Sequence, residues 1–432
     1  MGVCRYFALA ILVATATAHA NPIEVFGLTS RRAGQANSGV AAADDASALY
    51  YDPAGLVARG GGELVLGTLA AYSHLSINAS RASLSDPIGF QIGVRAHVPL
   101  GGALADRIAV GLGLHLLPTL AARVIAPAPD AAFYPYYGDR LSRIVVLPGA
   151  AARITDAFSV GAALNVLAGF GGTITATDDA MGGIDARVDE QQSTVARLIA
   201  GIRYTLSPSF SLGAVYRQRF EIPVQATAHT MVAGEAIDVD VRAAGSFTPH
   251  QFFAGVAYTT DALVASLDLG YARWSDYAGP YVTVVSQLPV VGAVPGESPL
   301  VPFEDTFTVR AGLESAGDGL VFRGGYGLET AAVPRSQSGV TNLLDGTKHI
   351  AAFGMGYVWK RIRVDAHLQL QLVSTRKVSK ELYDGTGEYD PFTSLRDEDA
   401  NLDGTQISNP GYPSMKSGGE VVSGGVTLGV SL

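Results

Sequence analysis

From about residue 63 onward, apolar and polar positions alternate with a period of two, the pattern of strands whose two faces meet different surroundings. The longest regular stretch runs from Arg361 to Val373. Ile362, Val364, Ala366, Leu368, Leu370 and Leu372 fall on one face, and Arg361, Arg363, Asp365, His367, Gln369 and Gln371 fall on the other. A polar row with both charge signs behind an aliphatic row suits a strand with lipid outside and a wet lumen inside. The second row is therefore read as lumen-facing. Weaker copies occur at Phe158–Gly169, Leu263–Arg273, Phe303–Leu313 and Val422–Leu432. Fourteen strands are predicted, at 63–77, 88–98, 106–120, 142–154, 157–171, 192–206, 209–226, 240–259, 262–277, 303–315, 318–330, 348–359, 361–375 and 420–432.

The connections sort by length. After a short link from Pro99 to Ala105, tight turns fall at Thr155-Asp156, Ser207-Pro208, Thr260-Asp261, Ala316-Gly317 and Lys360. Between them lie long connections at 121–141, 172–191, 227–239, 278–302, 331–347 and 376–419. Transmembrane barrels alternate short and long in this way, because the turns on one side are tight while the outer loops are free to grow. A soluble sandwich has no reason to do so. The fold class read from the chain is all-β, a transmembrane antiparallel β-barrel spanning residues 63–432, with a long outer loop at 376–419. Residues 21–62 do not alternate. Gly, Ala, Ser and Asp dominate there, with Arg31-Arg32 and Asp44-Asp45 as the charged points. A fourteen-stranded lumen is wide enough to leak, so this segment is read as an N-terminal hatch, or plug, inside it.

The first twenty residues read as a secretory signal peptide: Arg5, an apolar stretch from Tyr6 to Val13, and Ala18-His19-Ala20 before the cut that leaves Asn21 first. The apolar run is too short for a membrane helix of ~20 residues. Cys4, the one cysteine, lies within this peptide, so the mature chain has no disulfide, thiol nucleophile or thiolate metal site. The chain is 48% hydrophobic and glycine-rich, with 51 glycines, yet has no later apolar run long enough for a helix to span. A net charge of −9 without a basic cluster excludes nucleic acid as the partner.

No other chemistry asserts itself. The histidines at 74, 97, 115, 229, 250, 349 and 367 show no paired metal spacing, and no serine stands in a nucleophile context, so no enzymatic activity and no cofactor are expected. Asp399, Asn401 and Asp403, followed by Gly404, have the spacing of the first half of a calcium loop, but Pro410 stands where the loop needs its closing Glu. A solvated acidic loop is the competing reading.

Asp44-Asp45-Ala46-Ser47-Ala48-Leu49-Tyr50-Tyr51-Asp52-Pro53-Ala54-Gly55-Leu56 resembles the plug signature of the long-chain fatty acid transporter (FadL/TodX-type) family, which usually has Asn-Pro-Ala where this chain has Asp52-Pro53-Ala54. Three further stretches resemble the same family in the same order. They are Gly255-Val256-Ala257-Tyr258 through Ala272-Arg273-Trp274-Ser275-Asp276-Tyr277, Phe303 through Arg310, and Phe322-Arg323-Gly324-Gly325-Tyr326 followed by Val333-Pro334. The resemblance implies a fourteen-stranded barrel with an N-terminal hatch. It further implies passive uptake of long-chain fatty acids or other small hydrophobic compounds, leaving sideways through a gap at a kink in the third strand. Pro118, which has no N–H to give the ladder, is the candidate for that kink; a proline that merely ends a strand near the rim is the other reading. The substrate path and hatch are thus expected to involve Asn21, Asp52, Pro53, Ala54 and Pro118. The expected setting is the outer membrane of a Gram-negative cell, as a monomer among lipopolysaccharide and other outer-membrane lipid. The alternative function is a closed surface receptor or adhesion barrel that binds partners through its outer loops. Two departures stand out: Asp52 carries no amide donor, and the chain ends in Leu432 where such barrels commonly end in an aromatic residue.

Overall fold

The computed structural model describes residues 22–58, 60–78, 80–82, 84, 86–116, 132–138, 144–178, 184–232, 235–281, 283–288, 292–295, 301–315, 319–337, 341–380 and 414–432. The signal peptide, Asn21, Pro118 and the loop residues Asp399, Asn401 and Asp403 lie outside them.

Among the described residues, fourteen strands form the wall: β1 (Glu63–Ile77), β2 (Ile88–His97), β3 (Ile108–Leu116), β4 (Val145–Arg153), β5 (Phe158–Asp178), β6 (Ile184–Ser207), β7 (Phe210–Arg217), β8 (Gln251–Thr259), β9 (Leu263–Ala272), β10 (Thr306–Ser315), β11 (Leu320–Glu329), β12 (Lys348–Trp359), β13 (Ile362–Lys380) and β14 (Ser414–Ser431). Each pairs antiparallel with the next. The ring closes where β14 pairs with β1, from Glu63↔Ser431 to Ile77↔Ser417. Closure satisfies every wall strand on both sides, which a span through hydrocarbon requires.

The tight turns gather at one end of the ring. Three repeat one device: a hydroxyl at the head of the turn accepts the backbone N–H three residues on. Thr155 takes Phe158 at 3.0 Å, Ser207 takes Phe210 at 3.2 Å and Thr260 takes Leu263 at 3.1 Å. Lys360 closes the β12–β13 turn in the left-handed region, at φ 55°. Arg361, expected in the lumen-facing row, is corrected here. It belongs to that turn and is exposed, because the chain reverses before the alternation starts.

Outward positions carry the apolar row. Leu66, Leu112, Leu269, Leu313, Leu368 and Val426 are all exposed. Tyr204, Phe210, Tyr258 and Trp359 lie toward the turn end, and Tyr72, Tyr216, Phe307 and Tyr326 toward the other, giving two aromatic girdles around an aliphatic band. No helix among the described residues is long and apolar enough to cross a membrane; the strands make the crossing.

At the loop end the strands outrun their predicted limits. β5 and β6 continue into the expected 172–191 loop, and a hairpin (Phe220–Val232 with Glu235–Thr248) replaces the expected 227–239 loop. The first arm of that hairpin runs parallel to β5, Gly172–Thr175 against Ala226–His229. A second hairpin, Thr283–Leu288 with Gly292–Pro295, lies within 278–302. β13 reaches Lys380 and β14 starts at Ser414, so strand occupies both ends of the loop predicted at 376–419, whose middle lies outside the described residues. The reason lies in the chain: past the band the period-two alternation stops, while the backbone ladder continues regardless of side-chain polarity.

Candidate functional site

Residues 22–58 pack against the inward face of the wall. They form α1 (Pro22–Phe26), α2 (Ser30–Ala33), α3 (Ala48–Tyr51) and a 3-10 turn (Pro53–Val57), and almost all of them are buried. Helices this short do not hold themselves, so contacts with the wall fix the segment. Thr29, a β-branched residue at φ 72°, is an example. Its N–H goes to Gln91 of β2 at 2.9 Å, and the next N–H, of Ser30, goes to Thr427 of β14 at 2.9 Å. Those bonds hold a backbone conformation that is otherwise unfavourable.

Asp52-Pro53-Ala54 starts the 3-10 turn. The Asp52 side chain accepts the Ala54 N–H at 3.0 Å, with Pro53 at the first position, where no N–H is needed. The capping role needs only an acceptor, which a carboxylate supplies as well as an amide oxygen. The second carboxylate oxygen faces Arg203 of β6 at 3.6 Å. Burial pushes the Asp52 carboxyl up to about 6 despite Arg203 and the Ala54 N–H. The triplet sits toward the turn end against β5 and β6, where Gly161 lies under Pro53 and Ala54 and Gly201 lies under Asp52. A side chain at either glycine would collide with the hatch.

On the opposite side the contacts are ionic. Arg31 grips Glu314 of β10 with two nitrogens at 2.8 and 2.7 Å and reaches Asp44 at 2.6 Å. Glu314 also takes Arg323 of β11 at 2.6 Å, and Arg323 takes Asp365 of β13 at 2.8 Å. Arg363 joins Asp365 at 2.8 Å, Glu63 at 3.1 Å and Asp45 at 3.5 Å. Burial alone would raise the Asp45 carboxyl, but Arg32, Arg31 and Arg363 hold it well below the usual carboxylate range. Arg363, Asp365, His367 and Gln369 all turn inward. Gln369 donates to the Ala33 carbonyl at 3.5 Å, and neither ring nitrogen of His367 has a partner. Sequence reading missed Glu314, Arg323, Arg203 and Gln91. The signal was there in principle, since each sits at an inward position of an alternating strand.

The side facing β3 to β6 is apolar. Leu49 of α3 packs on Gly113 and Gly149, and Leu56 on Gly111; Val145, Leu147, Ala163 and Ile199 are buried around them. At the loop end, residues 132–138 fold inward, Tyr134 donating to the Ser76 carbonyl at 2.8 Å and Tyr137 to Gln371 at 3.2 Å. They join Phe247, Trp274, Tyr277 and Phe303 in an apolar cluster that rests on Val25 and Phe26 of α1. Phe247 stacks on Tyr277 at 4.5 Å between ring centres. Among the described residues no group of His, Cys, Asp or Glu is arranged to hold a metal ion.

A closed fourteen-stranded barrel around an N-terminal helical segment defines the class of protein. No family model matches the sequence, and no curated protein matches it. Solved structures do match in fold. A FadL homologue of Pseudomonas aeruginosa is 12% identical, with 96% of this chain and 99% of that one covered and a TM-score of 0.59. The toluene transporter TodX of P. putida is 14% identical, over 93% and 97%, with a TM-score of 0.56. The monoaromatic hydrocarbon channel CymD is 15% identical, over 94% and 97%, with a TM-score of 0.55. The chain therefore has the fold of these channels and transporters along nearly its whole length.

Proposed function

We propose that this chain lets small hydrophobic molecules, such as long-chain fatty acids, cross the outer membrane of a Gram-negative cell by passive uptake. The supporting observation is the division of the lumen: an aromatic, apolar cluster at the loop end, seated on a segment that fills the interior beneath it. Such a lining favours an apolar solute, which gains about 25 cal/mol for each Å² it hides from water. Residues 21–62 act in this reading as the hatch, and outer-membrane lipid, including lipopolysaccharide, surrounds a monomer. No cofactor or chemical step is needed. The solute leaves sideways into lipid past the end of β3, near Pro118, a residue with no N–H to give a strand ladder.

The test is uptake of a labelled fatty acid and a labelled hydrocarbon by cells with and without the chain, at matched barrel levels. Faster uptake with the chain is expected, and Pro118→Val, which restores a ladder donor, should slow it. Equal uptake with and without the chain would transfer the weight to a closed surface receptor.

A further inference from the structure

At the turn end of the lumen a pocket of about 600 Å³ separates the underside of the hatch from the wall. Its volume is that of an ordinary small-molecule site, roughly 300–1,000 Å³. Ala54, Val57 and Ala58 give it an apolar roof, while the inward faces of β4 to β7 give it Arg153, Arg203 and several hydroxyls.

The two guanidiniums share one nearby buried carboxylate, Asp52, which lies beside Arg203. Arg153 donates to the Val57 carbonyl and, among the described residues, has no carboxylate partner. Arg203 donates to the Val40 carbonyl at 3.3 Å and faces Asp52 at 3.6 Å, and its Nε makes no hydrogen bond. Asp156, the remaining acid of the pocket, has a side chain 92% exposed and is engaged by Arg107 at 3.2 Å. A guanidinium presents five donors. Carbonyl oxygens occupy some of them here without neutralising the charge. A carboxylate is the ligand that meets both needs, because its two oxygens match the planar fork.

We infer that this pocket binds the carboxylate of a small amphiphilic acid, its head between Arg153 and Arg203 and its apolar body under Ala54 and Val57. It lies across the hatch from the loop-end aromatic cluster. It is a second site and stands whether or not the uptake reading does.

The test uses the full barrel in lipid nanodiscs and equilibrium binding of three probes: benzoate, neutral benzamide of nearly the same shape, and phenyl phosphate. Benzoate should bind saturably, at least about tenfold more tightly than benzamide. Arg153→Gln, which keeps a donor for Val57, should remove that preference while the barrel still migrates as folded on an unheated gel. Arg203→Gln is the second variant, in case the first unfolds. Equal binding of benzoate and benzamide overturns the site, as does full benzoate binding in both folded variants. Tighter binding of phenyl phosphate than of benzoate overturns the carboxylate assignment.

Discussion

Toward β10–β14 and β1 the hatch meets the wall through a network of ion pairs, and toward β3–β6 it meets the wall mainly through glycine and aliphatic side chains, with Arg153 and Arg203 reaching it at the turn end. The ionic side is directional. Arg31, Glu314, Arg323, Asp365 and Arg363 form one chain of contacts in which each group needs its neighbour in place. The apolar side makes no such demand, since Leu49 and Leu56 lying on glycines tolerate small displacements that a bidentate pair does not. The β3–β6 side is thus the less directional of the two. That is also the side of β3, where the proposed exit lies.

The largest effect expected from breaking this contrast is on the ionic side. Arg31→Ala takes from Glu314 its bidentate partner on the hatch, leaving it only the wall's Arg323, and should weaken hatch docking by about 2–5 kcal/mol. Liposomes carrying the variant should leak small sugars; an unchanged leak rate would mean the cluster does not anchor the closure. On the lipid face of β13, Leu368 is 58% exposed. Leu368→Arg should reduce folding into bilayers by about 2–4 kcal/mol if it lies near the midplane, read as the folded fraction in a urea titration. Asp52 sharpens the contrast through pH. Its carboxyl, at about 6, is raised above its ordinary 3.8, chiefly by burial. Its contribution to docking is therefore complete below about pH 4 and is lost as pH rises through 6, an effect of about 3 kcal/mol in all. Hydrogen exchange of the hatch amides should report weaker protection at pH 7.5 than at pH 5, after correction for intrinsic rates, and Asp52→Asn should flatten the difference. The smallest effect belongs to the seats. Gly161→Ala pushes on Pro53 and Ala54 and should cost about 1–3 kcal/mol of local protection, without the leak expected of Arg31→Ala.

Much of the wall was legible because the lipid imposes a period-two code. Val364 against Asp365, or Val426 against Thr427, can be assigned to faces by parity alone. The turns were legible where a hydroxyl or a residue such as Lys360 forces the reversal. Two things were hidden. The strand extensions beyond the band, such as β5 past Gly171, lack the code, since Gly172-Thr173-Ile174-Thr175-Ala176-Thr177 shows no clear apolar row. The partners of the hatch were hidden because they are set by which strands lie opposite one another: Arg31 and Glu314 are 283 residues apart in the chain, and no local pattern links them. Arg203 and Asp52 meet for the same reason, and a carboxylate at that position gave no sign in the sequence of a cation across from it.

The hydrogen bond between Ser30 and Thr427 joins residues 397 positions apart. Ser30 is among the first residues of the hatch to be made, and Thr427 lies in the strand that closes the ring. The hatch therefore cannot complete its docking until the whole chain has been delivered and β14 has found β1. Loop closure over such a distance is slow and comes late. The last strand made thus supplies an anchor for the first segment made, and closing the ring and fully seating the hatch depend on each other.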